Sequence, residues 1–226
     1  MHTLKAALMH WPCPAGSDDR AAVAKLEALR PLVEGRKVAL VGNAQSLFEG
    51  ESGAEIEGSA IVARLNFGVV RSEAHQGRRT DILFFATKMK RATAMRLFGC
   101  RTFVWGSPRR LFIDLRFLLH PNELAFVPLD DADRLAVRLG ARPSTGLVAL
   151  HLLLNRLGAG EVRLYGFDWK QTPTFYEDSI LRNVHDWEAE AALVHEWAQR
   201  MPQRLIIRSP DPLQPAFPSS AVPQPG

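Results

Sequence analysis

The chain has 226 residues, 46% of them hydrophobic and 23% charged, with a net charge of +4 and a pI near 9.4. That balance excludes an intrinsically disordered chain and fits one α/β unit large enough to bury a sizeable core. No segment reaches the ~18 apolar residues of a membrane-crossing helix, and the apolar run in MHTLKAALMHWP is too short for a signal peptide.

A soluble, cytoplasmic protein is therefore expected. Positive charge clusters only in RRT (78–80) and PRRLF (108–112), too little to argue for nucleic acid. The two cysteines, Cys13 and Cys100, have no metal-ligand spacing, and nothing in the pattern supports a disulfide between them.

Residues 1–17 show no clear pattern. The stretch 17–35 reads as a helix, with Ser17 or Asp18 as cap and Gly35 past its end. KVALVGNAQSL (37–47) opens with a buried strand, 37–41, that stops at Gly42-Asn43. Strands follow at 60–68 and 81–86, a helix at 88–99, and a strand at 102–106. Residues 108–119 read as helical, 124–128 as a short strand, and 130–140 as a helix stopped by Gly140.

Ser144 is a good N-cap for a helix that is apolar almost all round from Leu147 to Leu157 and so buried on most sides. Gly158 ends it, and EVRLYGF (161–167) forms a strand. A loop spans 169–184. Residues 185–201 form an amphipathic helix whose apolar stripe is Trp187, Ala191, Val194, Ala198 and Met201. A last strand, 204–209, precedes a tail, 210–226, whose six prolines point to disorder. One domain, 1–209, is expected, with a Rossmann-like, mainly parallel sheet and helices on both faces.

In such sheets ligands bind outside the carboxyl ends of the strands. Four places qualify. Gly42 permits close backbone approach, and Asn43 offers a donor and an acceptor to a base or ribose. Asn66 ends the second strand, where a dinucleotide site would place an acid; that and the missing G-x-G-x-x-G argue against NAD. Arg64 shares its strand face. Ser144-Thr145-Gly146 opens the buried helix, and its free N–H groups suit an anion or plain capping. His185 begins the last helix and suits a general base. Glu190, five residues on, falls about 140° around a helix from it, so the two need not touch. DDAD (130–133) reads as cap and first-turn charge rather than a metal site.

The order of these pieces resembles the sialyltransferases of glycosyltransferase family 29. VALVGNAQSLFEGESGAEIEGSAIVARLN is similar to that family's large motif at Val41, Gly42, Asn43, Leu47, Gly53, Ile56, Val62, Arg64 and Asn66, with Ala44 for Ser and Glu57 for Asp. Residues 143–167 resemble the small motif at Pro143, Ser144, Thr145, Gly146 and Leu164-Tyr165-Gly166-Phe167. HDWEAE (185–190) fits the very small motif, and TFYE (174–177) stands where the third motif falls.

The resemblance implies a GT-A-type variant sheet, a CMP-sugar donor as substrate, no metal, and inverting transfer of sialic acid or a relative such as Kdo to a glycan or lipooligosaccharide acceptor. It also implies that Gly42 admits the mononucleotide and that Asn43, Asn66, Ser144, Thr145, Gly146, Gly166 and Phe167 hold it. His185 would take the acceptor proton, and Glu190 would support its helix.

There are departures. Val38 and Ala159 stand where the family has a disulfide, a loss that a reducing cytoplasm permits. Thr174 replaces the third-motif histidine, with Lys170, Arg182 or Lys88 as candidate substitutes for its charge. A nucleotide-binding protein that has lost catalysis and, less well supported, a Rossmann enzyme using NAD or S-adenosylmethionine stay open.

Overall fold

The computed structural model describes residues 19–176 and 185–208. The N-terminal stretch with Cys13, the residues Glu177 and Arg182, and the proline-rich tail lie outside the described residues.

Seven strands form one sheet: β1 (Lys37–Val41), β2 (Ile61–Leu65), β3 (Ile82–Phe85), β4 (Phe103–Trp105), β5 (Leu124–Phe126), β6 (Glu161–Tyr165) and β7 (Leu205–Ile207). Their order is β5-β4-β3-β2-β1-β6-β7, and every pairing is parallel. Successive side chains leave a strand on opposite faces. Accordingly Val38 and Leu40 enter one core cluster while Ala39 and Val41 enter another.

Helices cover both faces. On one lie α7 (Leu129–Leu139), α8 (Thr145–His151) and α9 (Trp187–Arg200), which pack Leu135, Leu150, Val194 and Trp197 against the strands. On the other lie α3 (Gly53–Glu57), α5 (Arg91–Phe98) and α6 (Leu115–Leu118), which contribute Ile56, Phe98 and Phe117. The sheet is thus buried on both sides, which is why its strands read as continuous apolar runs. Val38 and Ala159, the counterparts of the half-cystines, are both fully buried in one apolar cluster. Cys100 is a buried free thiol whose pKa burial pushes up to about 11.

Several boundaries differ from the sequence expectation. The helix expected over 17–35 breaks into α1 (Asp19–Glu27) and α2 (Arg30–Val33). Pro31 has no N–H to donate to the carbonyl of Glu27, so one continuous helix cannot pass that point. The single helix expected over 108–119 is a 3₁₀ turn, Arg110–Phe112, followed by α6. Ile113 and Asp114 between them are extended, and the Asp114 carboxylate caps α6 by accepting the Arg116 N–H at 2.9 Å.

The long buried helix changes pitch after His151. Residues Leu152–Arg156 form a π-helical turn in which the Leu157 N–H reaches the Leu152 carbonyl at 2.8 Å. A 3₁₀ turn at Gln45–Glu49, α3 and α4 (Glu73–Gln76) are too short to leave an apolar period in the sequence.

Candidate functional site

The strand order reverses between β1 and β6. The chain runs outward from β1 to β5 and then returns to place β6 on the other side of β1. Connections from the two strands depart in opposite directions there, and a crevice opens at their carboxyl ends. A cavity of about 260 Å³ occupies that place. Gly42, Asn43, Asn66, Ser144, Thr145, Gly146, Gly166, Phe167 and His185 all line it. These residues come from five separate stretches of chain, and the fold brings them together.

The glycines have a different reason from the one expected. A Cβ on Gly42 would lie 2.4 Å from the Gly166 carbonyl oxygen, and one on Gly146 would lie 2.8 Å from Cε1 of Phe167. The close approach they permit is therefore protein against protein, not primarily backbone against ligand. Gly42 N–H also donates to the Tyr165 carbonyl at 2.7 Å, and Gly166 turns the chain at φ +66°.

Both asparagines spend part of their amide on the scaffold. Asn43 Nδ2 donates to the Leu65 carbonyl at 3.0 Å and to the Tyr176 hydroxyl at 3.3 Å, tying the end of β1 to the end of β2. Its Oδ1 is buried against Gly68 with no hydrogen-bond donor among the described residues. Asn66 adopts φ +47°, a left-handed conformation that asparagine tolerates, and its Oδ1 accepts the Ala86 N–H at 3.0 Å.

The start of α8 is braced from α9. Ser144 Oγ caps the helix by accepting the Leu147 N–H at 3.2 Å. Glu190 reaches across and accepts the Ser144 N–H at Oε1 and the Ser144 hydroxyl at Oε2, each at 2.6 Å. Its carboxyl is 3% exposed, and burial pushes its pKa up to about 7 against the pull of the two Ser144 bonds, with Asp186 adding to the rise. The Ser144 donors are thus engaged. The Thr145 and Gly146 amides have no acceptor among the described residues.

His185 sits just before α9, whose N-cap is Asp186 through the Ala189 N–H at 2.9 Å. Being outside the helix, it does not obey the helical angle relative to Glu190. Instead both residues grip one short segment: His185 Nδ1–H donates to the Arg142 carbonyl at 2.8 Å, two residues before Ser144. That bond leaves Nε2 as the lone-pair nitrogen. Burial holds the imidazole below its ordinary 6.5, and the nearby charges of Arg142 and Lys170 add to the shift. The shift favours the uncharged imidazole, with Nε2 carrying the lone pair.

Other residues fall elsewhere. The buried Arg64 guanidinium donates to the Gln76 and Arg79 carbonyls and to Thr80 Oγ1, while Glu57 Oε1 accepts the Arg78 and Arg79 amides at 2.5 and 2.7 Å. Both pin the loop before β3 and neither lines the cavity. Lys88 lies over the Phe112 ring and does not line the cavity, whereas Lys170 and Thr174 do. Asp130 and Asp131 of DDAD stand in the first turn of α7 as expected, but the N-cap is Pro128, with no side-chain cap bond, and Asp131 is buried between Arg156, Arg134 and His151. Among the described residues no group of three metal-ligating side chains could hold an ion.

Sequence reading missed part of the wall. Asp168 accepts the Ser46 and Thr172 hydroxyls and the Lys170 and Thr172 amides, and so shapes the turn after β6. Trp187, expected on the core stripe of α9, instead lines the cavity beside His185, with ring centroids 5.0 Å apart. The rule that ligands meet the carboxyl ends of strands could have flagged Asp168, three residues past Tyr165. Nothing in the apolar period separates Trp187 from its core neighbours.

No protein-family model matches the sequence, and no curated protein matches it significantly. Solved structures do match. A mammalian sialyltransferase superposes with a TM-score of 0.61 at 20% identity, covering 92% of this chain and 84% of that one. The Campylobacter jejuni sialyltransferase CstII, in complex with cytidine-5'-monophosphate, gives 0.57 at 14% identity, covering 80% and 82%. A mammalian sialyltransferase in complex with Gal-beta-1-3GalNAc-ortho-nitrophenol gives 0.60 at 20% identity, covering 92% and 84%. The fold is that of the sialyltransferases. In the sialyltransferase fold of this chain, no helix of the described residues is long and apolar enough to cross a membrane.

Proposed function

We propose that this chain is a cytoplasmic, metal-independent, inverting glycosyltransferase that moves a sugar acid, sialic acid first, from a CMP-activated donor to a glycan hydroxyl. One observation supports this above the others. Every residue nominated for the nucleotide, and the nominated base, lines the same cavity at the reversal of the strand order. Likeness to structures solved with CMP adds weight.

The chemistry follows from the groups present. The acceptor hydroxyl oxygen attacks the anomeric carbon while the bond from that carbon to the CMP phosphate oxygen breaks. His185 Nε2 takes the hydroxyl proton, and CMP leaves with the electron pair as a phosphate monoester. The charge growing on that phosphate is met by the Thr145 and Gly146 amides, which Glu190 and Ser144 leave unengaged. Asn66, which lines the cavity, would hold the nucleoside. A single displacement at the anomeric carbon inverts its configuration.

Thermal shift with CMP, UMP, NADH and S-adenosylmethionine tests the reading, followed by transfer assays with CMP-Neu5Ac and CMP-Kdo. Stabilisation by CMP above the others is expected, with turnover of one CMP-sugar. Thr174, which cannot supply a positive charge, favours a second reading: a CMP-binding protein with little or no transfer. CMP binding without transfer to any acceptor in a broad array would select it. Stabilisation by NADH or S-adenosylmethionine, and not by CMP, would overturn both.

A further inference from the structure

The segment after β4 lines no part of the cavity. Between Leu111 and Leu119 seven of nine residues are apolar, yet the core uses only Ile113 and Phe117. The other five face outward: Leu111, Leu115 and Leu119 are 73%, 75% and 76% exposed, and Phe112 and Leu118 are 49% and 46% exposed. Single exposed leucines need no explanation, but five exposed apolar side chains within nine residues are a local concentration that does.

The charge around that surface has one sign. From residue 88 to residue 122 the chain carries eight Lys or Arg and one acid, Asp114, whose carboxylate is turned to the cap of α6. Arg110 is drawn inward to Asp19, and Arg91 and Arg101 pair with Glu123. Lys88, Arg109 and Arg116 are exposed and, among the described residues, in no ion pair; Lys88 lies 5.6 Å over the Phe112 ring. The segment leaves the carboxyl end of β4, where Gly106 would bring a Cβ within 3.4 Å of Thr145 Cγ2. It therefore stands at the same edge of the sheet as the cavity.

We propose that residues 109–119, with Lys88, form a docking surface for a lipid bilayer bearing anionic headgroups. The leucines and Phe112 enter the headgroup and acyl boundary while Arg109, Arg116 and Lys88 meet the lipid phosphates, the arrangement of an interfacial amphipathic segment. A polyanion such as nucleic acid accounts for the cations but leaves five exposed apolar side chains without purpose. The surface is independent of the donor assigned above. If that assignment also holds, docking brings the cavity to glycans carried on membrane lipids.

The test is cosedimentation of the full chain with vesicles of phosphatidylcholine alone and of an equimolar mixture with phosphatidylglycerol. Binding to the anionic vesicles that weakens with salt is expected. The exposed triple variant Leu111→Ser/Leu115→Ser/Leu119→Ser should lose about tenfold or more of it. Arg109→Gln/Arg116→Gln should lose about tenfold on anionic vesicles only. Hydrogen exchange follows residues 110–119 in the same samples and should slow when anionic vesicles are added.

Absence of vesicle binding, or binding that the leucine variant leaves intact, would overturn the proposal. So would exchange over 110–119 that bound vesicles leave unchanged, which would place the membrane contact elsewhere on the chain. Retention of an RNA or DNA duplex that the arginine variant loses and the leucine variant keeps would mark a polyanion site instead. None of these outcomes depends on CMP binding or transfer, so failure here leaves the proposed activity standing.

Discussion

Two buried carboxylates hold the helical stretch 145–156, one at each end, and they are opposites. Asp131 is 2% exposed and surrounded by Arg156 at 2.8 Å, Arg134 at 3.1 Å and His151 at 3.3 Å. Against the cost of burial, those hydrogen bonds and charges hold its carboxyl well below the usual carboxylate range. Glu190 is 3% exposed and, among the described residues, its hydrogen bonds come from the neutral donors of Ser144, so burial wins and its pKa rises to about 7. The charge-compensated end serves as a buttress. The uncompensated end lies at the cavity; in the proposed reaction a cation paired to Glu190 would compete for the donor phosphate and a full negative charge would repel it.

Changes at the cavity end should move ligand binding and turnover, whereas changes at the Asp131 end should move stability alone. The largest effect is expected from His185→Ala, which should lower transfer from the CMP-sugar by ~10²–10⁴-fold. Its CMP-induced thermal shift should stay close to that of the parent; intact transfer would remove His185 as base. Because burial and the charges of Arg142 and Lys170 lower its pKa, the acid limb of the rate profile should fall below pH 6.5.

Next comes Asp131→Ala, which strands Arg156 and His151 and should cost about 3 kcal/mol in urea unfolding. That is the low end for a buried cluster, because the Arg156 side chain is 31% exposed. CMP affinity should not change, and a change would break the division between the two ends.

The two carboxylates should also have opposite pH signatures. The folded pKa of Asp131 is depressed, so its contribution is present above the unfolded value of 3.8 and is lost as the pH falls further. The folded pKa of Glu190 is raised from 4.5 to about 7, so its contribution is full below pH 4.5 and is lost as the pH rises to about 7. Glu190→Gln, which resembles the protonated form, should remove a decline of up to ~3 kcal/mol across that window. Identical slopes for parent and variant would show that Glu190 titrates normally. The smallest effect is expected from Gly146→Ala. Its Cβ meets a movable Phe167 ring at 2.8 Å, so CMP should bind several-fold more weakly, at a stability cost of about 1 kcal/mol.

Most of the candidate site was legible because its residues stand where local chemistry marks them. Gly42 and Gly166 end apolar runs, Ser144 precedes one, and His185 precedes another. Their individual duties were less legible. Gly42 and Gly146 read as room for a ligand, yet they make room for Gly166 and Phe167, residues more than a hundred and about twenty positions away. Asp131 read as first-turn charge, because only the packed helices bring Arg156 and His151 to it. The stretch 108–119 read as one helix, because the sequence does not reveal that only two of the apolar side chains from Leu111 to Leu119 have a core to enter.

By itself, the sequence determined an all-but-continuous series of buried strands separated by helices, and with it a two-faced parallel sheet whose strand ends carry the polar residues. Those are local facts of period, capping and turn chemistry, and a chain of this composition has few other ways to bury such runs. Only the tertiary structure decided that the order reverses between β1 and β6, which converts five scattered stretches into one cavity. It also decided that Glu190 rather than solvent receives the Ser144 donors, and that five leucine and phenylalanine side chains face outward. Each depends on which distant surface a side chain meets, a property of packing that no window along the chain contains.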